Sequence, residues 1–245
     1  MAGLIFGNSH LAAVRQGWQQ ARAPAEFWAI NGGGGPNIRL QEGRVVPARP
    51  GATIYSDMSG LGPAGFDPGR YDYIAFCSFG FSALRDGQAG HPLHHAALAG
   101  LATSGAEVPV SAAVLTALLA DTLPRLPGRA ALVQLRRVYS GPILLVPAPL
   151  PALSLMPADD PLRRTYGANT PRFAAWYAAR QRALVQALAT RFDPPLIPLD
   201  WPDPAWGAAG ETPAEFADSD LDIWHMNAAY GARVADQICE ALEIG

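Results

Sequence analysis

Residues 4–18 read Leu4-Ile5-Phe6-Gly7-Asn8-Ser9-His10-Leu11-Ala12-Ala13-Val14-Arg15-Gln16-Gly17-Trp18. Two periodicities meet in this stretch. Leu4 to Phe6 is an unbroken apolar run, short enough for a strand buried on both faces. From His10 onward the apolar residues Leu11, Val14 and Trp18 fall about one helical turn apart. A buried strand that turns directly into a helix is the opening unit of an α/β fold.

The alternation continues along the chain. Phe27-Trp28-Ala29-Ile30 reads as a second strand, closed by Asn31 and the glycines Gly32 to Gly35. Residues 35–69 are rich in Gly and Pro and read mostly as loop. Tyr71 to Cys77 is a third strand. Ser111 is placed to cap a helix carrying Val114, Leu115, Leu118 and Leu119 on one face and ending near Pro124 to Gly128. Ile143 to Val146 is a fourth strand, stopped by Pro147. Thr170-Pro171 opens a helix as cap and first-turn proline, with Phe173, Trp176, Tyr177, Leu184 and Leu188 following. Leu196 to Leu199 is a fifth strand, and Pro198 assigns it to a sheet edge. A polar loop then leads to His225, and a last helix buries Tyr230, Val234, Ile238 and Leu242. Short apolar strands separated by amphipathic helices predict a parallel sheet covered on both faces, in one α/β domain spanning residues 1–245. Such sheets bind ligands beyond the carboxyl ends of their strands.

Composition narrows the function. Of the 245 residues 49% are hydrophobic, enough for a sizeable core. The net charge is −3 with Lys and Arg scattered, which argues against a nucleic-acid partner. Two cysteines, Cys77 and Cys239, are too few for a disulfide framework and read as buried free thiols. Met1 to Gly7 lacks the basic flank and long apolar region of a signal peptide, and no run of about 18 apolar residues spans a membrane. The expectation is a cytoplasmic protein of open oligomeric state, without a membrane span or cofactor.

Ser9 follows a buried strand directly, after Gly7, and precedes a helix. Backbone N–H groups at a helix start carry partial positive charge and suit an oxyanion. Alone, Ser9 also reads as a helix cap. Asp222-Ile223-Trp224-His225 stands just before the last helix. A carboxylate three residues before a histidine can reach Nδ1 of the ring, leaving Nε2 to take a serine proton. Asp218 and Asp220 crowd the same segment.

Together these features resemble the SGNH (GDSL-like) hydrolase family. Gly7-Asn8-Ser9 is similar to its first block, usually Gly-Asp-Ser, with Asn in the middle. Asp222-x-x-His225-Met226-Asn227-x-x-Tyr230-Gly231 resembles its last block. The second-block glycine falls in Asn31 to Gly35, with Gly34 favoured. The resemblance implies a flavodoxin-like three-layer α/β/α sandwich with a parallel sheet of about five strands. It further implies a serine esterase or deacylase acting through Ser9, His225 and Asp222. Small-molecule or glycan acyl esters are the expected substrates. An acyltransferase to a sugar hydroxyl, or a catalytically weak binding protein, would share the fold.

One block departs from the pattern. The family's third block carries an asparagine that donates to the oxyanion. Here the place reads Phe76-Cys77-Ser78-Phe79-Gly80-Phe81-Ser82. Ser78, Ser82 or Asn31 is left to take that role, alongside the backbone N–H groups of Ser9 and Gly34. His10 reads as a surface or substrate-contact residue. No metal is expected: His91, His94 and His95 sit in a Gly/Pro loop with only Asp86 nearby. No phosphate-loop pattern accompanies Gly32 to Gly35. Trp201, Trp206 and Trp224 read as either core or an apolar rim.

Overall fold

The computed structural model describes residues 1–18, 24–30, 38–49, 61, 62, 64–79, 96–103, 108–122 and 127–244, with backbone alone at 78, 79, 122 and 127. The first strand, β1 (Gly3–Gly7), runs into helix α1 (Leu11–Trp18) and on to β2 (Ala25–Ala29). A small antiparallel hairpin follows, β3 (Ile38–Gln41) with β4 (Arg44–Pro47), and then β5 (Tyr73–Phe79). The short parallel pair β6 (Ala96–Leu98) and β7 (Val108–Val110) leads to α2 (Ala112–Thr122) and α3 (Pro127–Arg136). Next come β8 (Ile143–Pro147), α4 (Pro161–Tyr166), α5 (Thr170–Ala189), β9 (Ile197–Pro198) and α6 (Pro204–Ala209). The chain closes with the hairpin β10 (Ala217–Ser219) and β11 (Asp222–Met226), and helix α7 (Ala228–Ala241).

Five strands form one all-parallel sheet in the order β2-β1-β5-β8-β9. Counted along the sheet's own strands this is 2-1-3-4-5, the flavodoxin-like order, whose ligand crevice opens where the order reverses beside the first strand. The sheet is an α/β sandwich. Alternate side chains of its strands feed two cores. Leu4, Phe6, Trp28, Ile74, Phe76, Ile143 and Leu145 pack toward Leu115, Leu119, Leu132, Leu135, Phe173 and Tyr177 of α2, α3 and α5. Ile5, Phe27, Tyr73, Ala75, Leu144 and Val146 pack toward Leu11, Val14, Trp18, Tyr230, Val234 and Ile238 of α1 and α7. Both faces are covered, which explains why the strands read as continuous apolar runs rather than alternating ones. β9 lies at the edge, where Pro198 withholds no needed donor.

Several local expectations change. Residues 38–47 form a hairpin rather than loop. Its Glu42-Gly43 turn has positive φ at both positions, 52° and 76°, as a two-residue primed turn requires. Helix α3 was not expected, since Pro124 and Gly128 read as a stop; Pro127 instead sits at its first position. Ser111 does accept the Val114 N–H at 3.3 Å, but Val114 itself is exposed. At α5 the cap position belongs to Asn169, and the Thr170 hydroxyl donates back to the Gly167 carbonyl at 2.7 Å. The segment before the last helix is the β10–β11 hairpin rather than a loop. Cys77 is buried and Cys239 half-buried. Among the described residues no helix is long and apolar enough to cross a membrane.

Candidate active site

Asn8, Ser9 and His10 form the turn between β1 and α1, at the carboxyl end of the sheet. A Cβ at Gly7 would lie 2.7 Å from the Cys77 carbonyl oxygen, so glycine is needed there for close approach to β5. The Asn8 side chain accepts the His10 N–H at 3.1 Å, and its carbonyl accepts from Leu11 at 3.0 Å. The Ala12 N–H goes to the Ser9 carbonyl at 3.2 Å. Among the described residues, no backbone carbonyl accepts the Ser9 N–H, which stands at the helix start where partial positive charge gathers.

His225 arrives on β11. Ala217 pairs with Met226 and Ser219 with Asp222, so one β10 residue opposes the three residues Ile223 to His225 and the strand arches there. The arch is pinned on both sides. The Ala152 N–H donates to the Ile223 carbonyl at 2.9 Å, and the Asn227 N–H to the Phe216 carbonyl at 2.8 Å. The Asn227 side chain does most of the stitching. Its oxygen accepts the N–H groups of Ala229 and Tyr230, capping α7, and its amide donates to the carbonyls of Glu215 and Ala217.

Asp222 shows why the spacing before His225 works. Its Oδ1 accepts the backbone N–H of Trp224 and of His225, each at 3.0 Å, while Oδ2 meets His225 Nδ1 at 2.7 Å. Burial pushes the Asp222 carboxyl up, but the His225 and Trp224 N–H groups and the His225 ring outweigh it and hold the carboxyl below its usual 3.8. An ionised carboxylate only accepts, so Nδ1 carries the ring proton and Nε2 is the acceptor. Ser9 Oγ stands 3.0 Å from Nε2. Ser9, His225 and Asp222 thus form one line of hydrogen bonds. Asp218 and Asp220 are exposed and take no part in it.

Two helices hold this line at its length. α1 begins just after Ser9 and α7 just after His225, and they touch backbone to backbone. A Cβ at Gly17 would lie 2.0 Å from the Ala232 nitrogen, and one at Gly231 would lie 1.7 Å from the Ala13 carbonyl oxygen. Residues this close tolerate only glycine. The signal was in the sequence as a glycine on each helix, but nothing local says that the two face each other.

The other expected site residues divide. Ser78 lies in β5 at a register shift, the extra residue between the Cys77–Val146 and Phe79–Pro147 pairs, at the same sheet edge as Ser9. Asn31, Gly34, Ser82, Asp86, His91, His94 and His95 lie outside the described residues. Among those described, no cluster of three or more His, Cys, Asp or Glu could hold a metal. Trp201 and Trp206 are core residues, and Trp224 is half-buried against the cluster that contains Ile223 and Leu153. Leu153 also lines an open cavity of about 540 Å³ with Ser154, Arg163, Thr170 and Glu211, of the size small-molecule sites have. Beneath the site, burial raises the Cys77 thiol well above its ordinary range, so it is no nucleophile. Comparisons with protein-family models, curated proteins and solved structures give no match, so the reading of the site rests on its geometry.

Proposed function

We propose that this chain is a serine ester hydrolase of the SGNH (GDSL-like) type, acting on a small-molecule or glycan acyl ester. One observation carries the reading: Ser9 Oγ, both ring nitrogens of His225 and the Asp222 carboxylate are joined in sequence at 3.0 and 2.7 Å. In the proposed cycle Ser9 Oγ attacks the ester carbonyl carbon and its proton passes to His225 Nε2. The imidazolium is stabilised through Nδ1 by Asp222, which stays ionised. The new oxyanion faces the Ser9 N–H. Collapse breaks the carbon–alkoxide bond, and the departing oxygen takes the proton from Nε2. Water then repeats the sequence on the acyl-enzyme, with His225 first as base and then as acid, releasing the carboxylic acid and restoring Ser9.

A fluorophosphonate probe and a panel of p-nitrophenyl esters test this. Wild-type protein is expected to be labelled on Ser9 and to turn over at least one ester. Ser9→Ala is expected to lose labelling and about 10³-fold or more in kcat, with an unchanged melt. Labelling at another residue, or full turnover by Ser9→Ala, refutes the assignment. Lack of both activities in the wild type leaves a binding protein on the same fold.

A further inference from the structure

The His10 ring lies against the His225 ring, with centroids 4.8 Å apart and planes inclined by 30°. His10 is the residue after the proposed nucleophile, and the Asn8 side chain anchors its N–H. Its contact is therefore made from the same turn that presents Ser9. The hydrogen bonds of His225 run from opposite sides of its ring, to Ser9 and to Asp222. Both bonds act at the edge of the ring, and neither bears on its face. The side chain of His225 remains 26% exposed, so packing from below does not enclose it. The His10 ring adds a contact across that face which neither hydrogen bond supplies.

That contact gains weight during turnover. Once the Ser9 proton has moved and Oγ is bonded to the acyl group, the Ser9–His225 hydrogen bond is gone. His225 must then aim Nε2 at the departing oxygen and later at water, held by Asp222 and by whatever touches its face. We propose that His10 is a positioning residue, whose ring keeps the His225 imidazole oriented through the acyl-enzyme stage. This rests on the serine hydrolase reading above for its consequence, but the ring contact itself is testable without turnover.

Three variants test it: His10→Ala and His10→Asn, which remove the ring, and His10→Phe, which keeps a planar ring without nitrogen atoms. Two quantities are measured on each. One is kcat and KM on the best ester; the other is the low-field NMR resonance of the proton between His225 Nδ1 and Asp222, in protein without substrate. The two ring-less variants are expected to lose about 10- to 100-fold in kcat with KM nearly unchanged, the scale of a small misplacement at a reacting centre. Their low-field resonance should broaden or vanish. His10→Phe should recover most of the kcat and keep the resonance. The proposal is overturned if the ring-less variants keep both kcat and the resonance. It is equally overturned if their loss falls on KM, which marks a substrate contact, or if His10→Phe is as poor as His10→Ala, which marks a polar or proton-transfer role. Should the wild type hydrolyse no ester and take up no phosphonate, the hydrolase reading fails. The resonance still decides whether His10 holds the His225–Asp222 pair.

Discussion

Asp222 serves three donors with two oxygens, and its ionisation ties the site to pH. Because hydrogen bonds hold its folded carboxyl below the usual 3.8, the folded state binds that proton less readily than the unfolded chain does. The contribution is fully present above the unfolded value, around pH 4, and is lost as pH falls through the lower folded value. Thermal melts from roughly pH 6 down to pH 3 should therefore show the wild type losing stability more steeply than Asp222→Asn, which has no such proton to bind. Parallel curves would mean that the carboxylate is not held. Asn227 makes a second residue-level case. It caps α7 with two hydrogen bonds and ties the chain at Glu215 and Ala217 to it with two more. Asn227→Ala should cost about 1–2 kcal/mol by denaturant unfolding. It should also lower kcat, because His225 is two residues away on the strand that Asn227 pins. Asn227→Asp keeps the cap acceptor and loses the two donors, so an intermediate effect separates the two roles.

The elements that place the site are α1, α7 and the β10–β11 hairpin. Each helix starts beside one end of the Ser9–His225 hydrogen bond, so their separation sets the distance between these two residues. Gly17 and Gly231 permit backbone contact, and a methyl group at either has no room. Gly231→Ala should force α1 and α7 apart, cost about 1–3 kcal/mol as overpacking does, and lower kcat by stretching the 3.0 Å hydrogen bond. A Gly231→Ala protein with wild-type stability and turnover would show that the helices are not spaced by this contact. The hairpin contributes differently. Its register shift sets Ile223 to His225 opposite a single β10 residue, and from that arch His225 Nε2 stands 3.0 Å from Ser9 Oγ.

Across the whole molecule, the sheet carries the stability on which this geometry rests. Phe6 of β1 and Phe76 of β5 stack at 4.7 Å and 7° on the face covered by α2, α3 and α5. Both are fully buried. Phe76→Ala should destabilise by about 3–5 kcal/mol in denaturant unfolding, through lost burial and the cavity left behind. The His225–Asp222 pair lies at the sheet's edge, built by the last hairpin, so below the unfolding transition the variant should keep most of its kcat. Loss of activity without loss of stability would place Phe76 closer to the chemistry than the fold does.

Local residue patterns are enough to specify the five parallel strands, the edge position of Pro198, the long helix at Thr170 and the last helix. Each is written in local signals: a run of apolar residues, a proline, a helical period. The sequence also marked Ser9, Asp222 and His225, because residue type and three-residue spacing are local too. Its failures were of two kinds. Glu42-Gly43 and Pro127 carried signals for a hairpin turn and a helix start, but the surrounding Gly and Pro residues masked them. The other features had no local signal at all. Ser9 and His225 are 216 residues apart in the chain, and the strand order, the α1–α7 contact and the β10–β11 hairpin together bring them to 3.0 Å. The same holds for the His10 ring on His225, the fit of Gly17 against α7, and the burial of Trp201 and Trp206. These are contacts between distant segments, and only the packing of one against the other decides them.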